Sequence, residues 1–292
     1  MPLLLLLLLL IPRLGLAAPA REFRFQNRQF LTFQMREEEW NRFSSKVYEF
    51  VTKRIGDPRA DEAIEIVFDP AMECAGFVSR EPGREREIRI STRIRSHVDF
   101  QVVLAHELTH VLRHAAQPDE AHWLDEGLAK WMEWGYVGDF PSHYAREIAR
   151  KGEVNLTDGS FDCGTGDGYG GAYLLMLYLH NHLGGSRFIS ELARSPLKGW
   201  DAVEGAAQNL RVRRELGLPP ALLTRKSLIW HFSLALLLND PFAADFALLQ
   251  IDSRFVPFRG VRVTAGEKCA HHEVTPQGVR PAIGGNLAIC TP

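Results

Sequence analysis

Nine residues, Val103-Leu104-Ala105-His106-Glu107-Leu108-Thr109-His110-Val111, constrain this 292-residue chain more than any other stretch. Phe100, Val103, Leu104, Leu108 and Val111 supply the buried side of a helix with a 3.6-residue period. Ser96 and Asp99 form an S-x-x-D capping pattern where that helix begins. On it, His106 and His110 stand one turn apart on a common face, so both ring nitrogens can reach one ion about 2 Å away, as zinc requires. Glu107 is rotated by about 100° from His106, near enough to reach a water on the ion without being a ligand.

A catalytic zinc site needs a third protein ligand and one open position. The metzincin extension is excluded, because Arg113 and Ala116 stand where it requires glycine and histidine. His114 lies one turn beyond His110, but successive i+4 steps rotate by about 40°, so three histidines in a row converge poorly and His114 reads as a flanking residue. The segment Trp123-Leu124-Asp125-Glu126-Gly127-Leu128-Ala129 offers a carboxylate sixteen residues after His110. That leaves room for a turn through Gln117-Pro118-Asp119 and a second helix packed back antiparallel, with Gly127 and Ala129 permitting close approach. Asp125 and Glu126 both stand on the relevant turn of that helix; Asp125 is either a solvated acid or the acceptor of a hydrogen bond from a ligand histidine.

The pair HELTH and WLDEGLAKW resembles the peptidase MA-like gluzincins, distant relatives of thermolysin. The resemblance runs from Phe23 to about Leu192 in the order of elements, with specificity only in the two motifs. It implies Zn2+ held by His106, His110 and Glu126, with Glu107 as general base. It also implies an oxyanion donor in Tyr169, which opens a helix ending in Tyr178-Leu179 before Gly184; Tyr173, one turn later, is the other candidate or simply core. A rival string, Gly164-Thr165-Gly166-Asp167-Gly168-Tyr169-Gly170, is similar to the deuterolysin-like aspzincin signature, with Asp167 as third ligand, but is one residue short. Thermolysin-like folds hold peptide on an edge strand; Glu87 to Ser91 precedes the site helix, and the sequence leaves open which strand is the edge.

Around this centre the pattern is α+β: a small N-terminal mixed β-sheet packed on a zincin-type active-site helix, then a mainly helical half and a β-like C-terminal tail. Strands are expected over Phe23 to Phe33 with a break near Asn27-Arg28, at Ile64 to Phe68 and at Ile88 to Ile90, and helices at Glu37 to Ile55, Ser96 onward and Ala121 to Trp134 with Gly135 as stop. More helices follow from Pro141 to Gly152, Tyr169 to His182, Arg187 to Arg194, Ala221 to Leu238 and Pro241 to Leu249. Residues 1–20 read as a signal peptide, 21–195 as the catalytic domain, 196–253 as a helical C-terminal region and 254–292 as the β-like tail.

The signal rests on the nine-residue apolar run Leu3 to Ile11, too short to span a bilayer, followed by the A-x-A of Ala18-Pro19-Ala20. Nothing after it has the length of a membrane span, so a secreted or periplasmic protein is expected. In that compartment Cys74, Cys163, Cys269 and Cys290 make two disulfides, with Cys269–Cys290 and Cys74–Cys163 as the suggested pairing. Lys and Arg total 34 against 36 Asp and Glu, which excludes a strongly basic nucleic-acid binder, and 46% hydrophobic residues exclude a disordered chain. The partner expected is a peptide or protein substrate; oligomeric state is not encoded legibly. The functional alternatives are a catalytically silent zinc-binding interaction module, against which the intact Glu107 argues, and an interaction surface around His271, His272 and Glu273, whose spacing reads as an exposed loop.

Overall fold

The computed structural model describes residues 22–291 apart from 60, 80, 139–141, 157–167, 239–250, 252–258, 266–267, 276–277 and 282–284. The expected signal peptide, Asp167, Cys163 and the whole of the expected helix Pro241 to Leu249 lie outside the described residues. Strand β1 (Phe23–Gln26) leads into α1 (Glu37–Ile55), and β2 (Ile64–Asp69), β3 (Gly76–Val78) and β4 (Glu87–Ser91) complete a four-stranded mixed sheet of order β1-β2-β4-β3. β1, β2 and β4 run parallel, while β3 is antiparallel to β4 through Gly76↔Ile90 and Val78↔Ile88. Alternation sets the faces: Ile64, Ile66 and Phe68 of β2 are fully buried and the residues between them are half-buried. The strand nearest the site helix in sequence, β4, is paired on both sides, so the edge next to that helix is β3, whose three residues gave no sequence signal.

The site helix is α2 (His97–Ala116), capped by Ser96, whose hydroxyl accepts from the Asp99 N–H at 3.1 Å. Its apolar side is pinned by an aromatic cluster in which Trp40 of α1 lies 4.8 Å from Phe100 and 5.3 Å from Phe68. The second motif lies on α3 (His122–Val137), which ends at Gly138 in the left-handed region (φ 71°) rather than at Gly135. Gly135 lies within the helix, where a Cβ would stand 3.6 Å from Phe50 Cζ, an ordinary contact. Arg113, 1% exposed, fixes the turn between the two helices: it bonds the Glu120 carboxylate and the Ala193 carbonyl, while Glu120 accepts from the Ala121 and Gly199 N–H groups at 2.8 Å each. α3 also packs closely on α5 (Tyr169–His182): a Cβ on Gly127 would stand 3.1 Å from the Ala172 carbonyl oxygen.

Between them come α4 (Ser142–Lys151) and β5 (Glu153–Asn155), and after α5 come α6 (Ser186–Ala193), α7 (Gly199–Val212) and α8 (Arg225–Leu238). The tail forms β6 (Val261–Thr264), β7 (Lys268–Thr275), β8 (Gly278–Pro281) and β9 (Leu287–Thr291), joined by β5 in a sheet of order β5-β6-β9-β7-β8. His271, His272 and Glu273 are therefore strand residues of β7, not a loop, and the His272 ring lies 4.8 Å from Trp230. α7 and β5 are elements the sequence reading did not anticipate. Buried apolar residues from Phe23 to Ile289 form one continuous cluster. No helix among the described residues is long and apolar enough to cross a membrane.

Candidate metal centre

α2 and α3 meet so that contact partners run in opposite order along them: His106 meets Glu133, and His110 and His114 both meet Asp125. The antiparallel packing brings the two motifs together at one buried spot. His106 Nε2 lies 3.1 Å from His110 Nε2, and Glu126 places Oε2 3.3 Å from the first and Oε1 3.6 Å from the second. Ligand atoms around a tetrahedral ion with bonds of 2.0–2.1 Å stand about 3.3 Å apart, so this spacing suits zinc, as does a set of two imidazoles and one carboxylate. Glu126 Oε2 is buried with no hydrogen-bond partner, the condition a bound cation relieves.

The outer nitrogens of both histidines are held. His110 Nδ1 and His114 Nε2 each lie 2.9 Å from the same oxygen, Asp125 Oδ2. Asp125 thus faces the far side of His110 from Glu126, and His114 supports it from outside the convergence point. His106 Nδ1 lies 3.1 Å from Glu133 Oε2, and Glu133 also accepts from Lys130 Nζ at 2.7 Å. Lys130 stands inside the WLDEGLAKW string and Glu133 just beyond it, and the sequence reading gives neither a role, although they lie four and seven residues after Glu126 and so share its helix face. His122 Nε2 approaches Glu126 Oε1 at 3.3 Å.

Glu107 is buried beside this cluster, and Gly76 of β3 closes over it: a Cβ on Gly76 would lie 2.3 Å from Glu107 Oε1. Burial raises the Glu107 carboxyl above the ordinary glutamate range, against the pull of His106 and His110. Burial also acts to raise Glu126 and Asp125, but the adjacent histidines prevail and hold both low. For His110, burial works downward and is overcome by the Asp125 and Glu126 carboxylates, which raise it. Tyr169 begins α5 with its ring 5.2 Å from Lys130 Nζ; burial, and then the Glu126 charge, keep its phenol protonated. Tyr173 is a buried core residue with its ring 6.2 Å from Tyr144.

No family model matches the chain, and no curated protein is a significant match. Among solved structures, a two-domain M1 zinc metallopeptidase variant bound to L-arginine is 16% identical with a TM-score of 0.37, over 61% of this chain and 44% of its own. The L-tryptophan complex of such a variant is 16% identical with a TM-score of 0.39, over 68% and 49%. An M1 zinc metallopeptidase from Deinococcus radiodurans is 17% identical with a TM-score of 0.37, over 64% and 46%. The chain spans less than half the length of each of these structures.

Proposed function

We propose that this chain is a zinc-dependent peptidase in which His106, His110 and Glu126 hold the metal and Glu107 is the general base. One observation carries this reading: three ligand atoms converge at zinc spacing while a separate buried carboxylate, Glu107, stands beside them. A site that only bound metal has no use for that second carboxylate. Zinc, when bound, supplies Lewis-acid activation of water and of the scissile carbonyl. Glu107 takes the proton of the attacking water and later delivers it to the leaving amine. Tyr169 donates its phenol proton in a hydrogen bond to the developing oxyanion. Asp125 and Glu133 fix the histidine tautomers so that Nε2 of each points at Glu126. The edge of β3 that pairs with no strand among the described residues, with Gly76 beside the base, is the surface on which an extended peptide aligns.

Export to an oxidising compartment belongs to the same proposal. Cys269 and Cys290 are opposite residues of the β7–β9 ladder. Such residues have Cα atoms about 4.5–5.5 Å apart, inside the range a disulfide spans. The pairing Cys269–Cys290 with Cys74–Cys163 is checked by peptide mass mapping without reductant.

The deciding experiment treats the zinc-loaded protein and Glu107→Gln with a mixed peptide library. The expected result is one zinc bound by both and cleavage by the first alone. Equal cleavage by Glu107→Gln, or a wild type that binds no zinc, overturns the reading; bound zinc without cleavage by either turns it into a binding module.

A further inference from the structure

We infer that Lys130 is a positioning residue of the metal centre, acting through Glu133 on His106 to set how tightly the centre holds zinc. The inference rests on the zinc reading above and adds a residue that neither motif contains in a ligand position.

Glu126, Lys130 and Glu133 form a stripe at i, i+4 and i+7 along α3, facing the site histidines of α2. The contacts converge on one atom: Glu133 Oε2 lies 3.1 Å from His106 Nδ1 and 2.7 Å from Lys130 Nζ. The oxygen that orients the histidine is therefore the oxygen the ammonium grips, and moving one moves the other. Glu133 is 5% exposed, where an anion without a counter-charge is not held in place at acceptable cost. Lys130 supplies that charge and is itself confined. Its side chain is 16% exposed, and Nζ lies 5.2 Å from the Tyr169 ring centroid and 5.9 Å from that of Tyr144, within the range of cation–π attraction.

A cation this near a zinc site weakens metal binding by simple repulsion if nothing else intervenes. Here the carboxylate oxygen that it bonds is the one that also touches His106, so the repulsion from the ammonium is opposed by the anion it holds at the same ring. Its net effect is to keep an anionic acceptor aimed at Nδ1, which fixes the ring and makes Nε2 a better donor to metal. A lysine acting directly on the reacting groups predicts a different result: unchanged zinc affinity with slower turnover.

The test is zinc affinity of the full-length apo protein, by competition with a chromophoric chelator, for wild type, Lys130→Met, Glu133→Gln, the double variant and Lys130→Arg. Circular dichroism melts accompany each. Lys130→Met and Glu133→Gln are each expected to weaken zinc binding by about 10- to 100-fold, the usual loss for an outer partner of a ligand histidine. The double variant is expected to be no weaker than the worse single variant, and Lys130→Arg to stay within about threefold of wild type, since both residues act through one contact. If Lys130→Met does not fold, Lys130→Gln, which keeps most of the stem, takes its place in the same cycle. Wild-type affinity in the neutral variant, or losses that multiply in the double variant, overturns the inference while leaving the zinc reading intact. A wild type that binds no zinc overturns both.

Discussion

Gly76→Ala tests the link between the sheet edge and the proposed base. A methyl at Gly76 would lie 2.3 Å from Glu107 Oε1 and 2.7 Å from both Cδ and Cγ. Non-bonded heavy atoms rest at about 3.5 Å, so the overlap amounts to about 1 Å. Rotating the carboxylate about its last bond does not relieve it, because Cγ is also too close. Either the whole Glu107 side chain changes rotamer or β3 slides from its register on β4, where Gly76 pairs with Ile90. Displacing a catalytic group by about 1 Å costs about 100-fold in rate, or about 2.7 kcal/mol of transition-state stabilisation. The nearest atoms to the new methyl all belong to Glu107, so zinc affinity is expected to stay within a few-fold of wild type. The assay is kcat/KM on a peptide found by library cleavage, beside a zinc competition titration on the same preparations. Wild-type turnover by Gly76→Ala would refute the placement of Glu107 as base, and a parallel loss of zinc would show that the strand carries the whole centre rather than the base alone.

Three further perturbations read other parts of the structure. Asp125→Asn removes the anion that His110 and His114 share, and zinc affinity is expected to fall by about 10- to 100-fold, with an unchanged affinity arguing against its role. Arg113→Met strands Glu120 in the buried turn between α2 and α3; the denaturant midpoint should fall by the equivalent of about 3–5 kcal/mol, and a shift below about 1 kcal/mol would refute the turn's dependence on this pair. Burial lowers the pKa of His231 from its ordinary 6.5, so the folded state binds fewer protons than the unfolded chain. Its contribution is present above the unfolded pKa and is lost as pH falls through the folded one. His231→Gln should therefore lose less of its melting temperature than wild type between about pH 7.5 and pH 5, and equal losses would count against the shift.

The parts of this protein legible in its sequence are those encoded by local period. α1 falls where apolar spacing puts it, because Trp40, Ser44, Val47, Val51 and Ile55 bury one stripe that repeats every turn. α2 starts at the capping serine, and α5, buried on all sides from Gly170 to Leu179, is an apolar run that the glycines after it bring to an end. α7 escaped because much of its buried face is Ala202, Ala206 and Ala207, residues too small to mark a period against their neighbours. The histidine tract of β7 reads as a loop by composition, and it becomes a strand because β8 and β9 flank it on both sides.

The site divides along the same line. His106, Glu107 and His110 are one helical turn, and Glu126 is a local motif on the next helix, so the proposed ligands were visible without coordinates. Lys130 and Glu133 were visible in principle, as charged residues continuing the face of Glu126 on a helix whose other sides are largely buried. Gly76 was not. Its meaning arises only when a three-residue edge strand is laid over a glutamate thirty-one residues later in the chain, and no periodicity records that contact. The residues that bind are thus written within single helices, whereas the space that the base occupies is set by packing between a helix and a sheet. Sequence motifs of this kind therefore specify which chemistry is available before they specify whether the base is held in place to perform it.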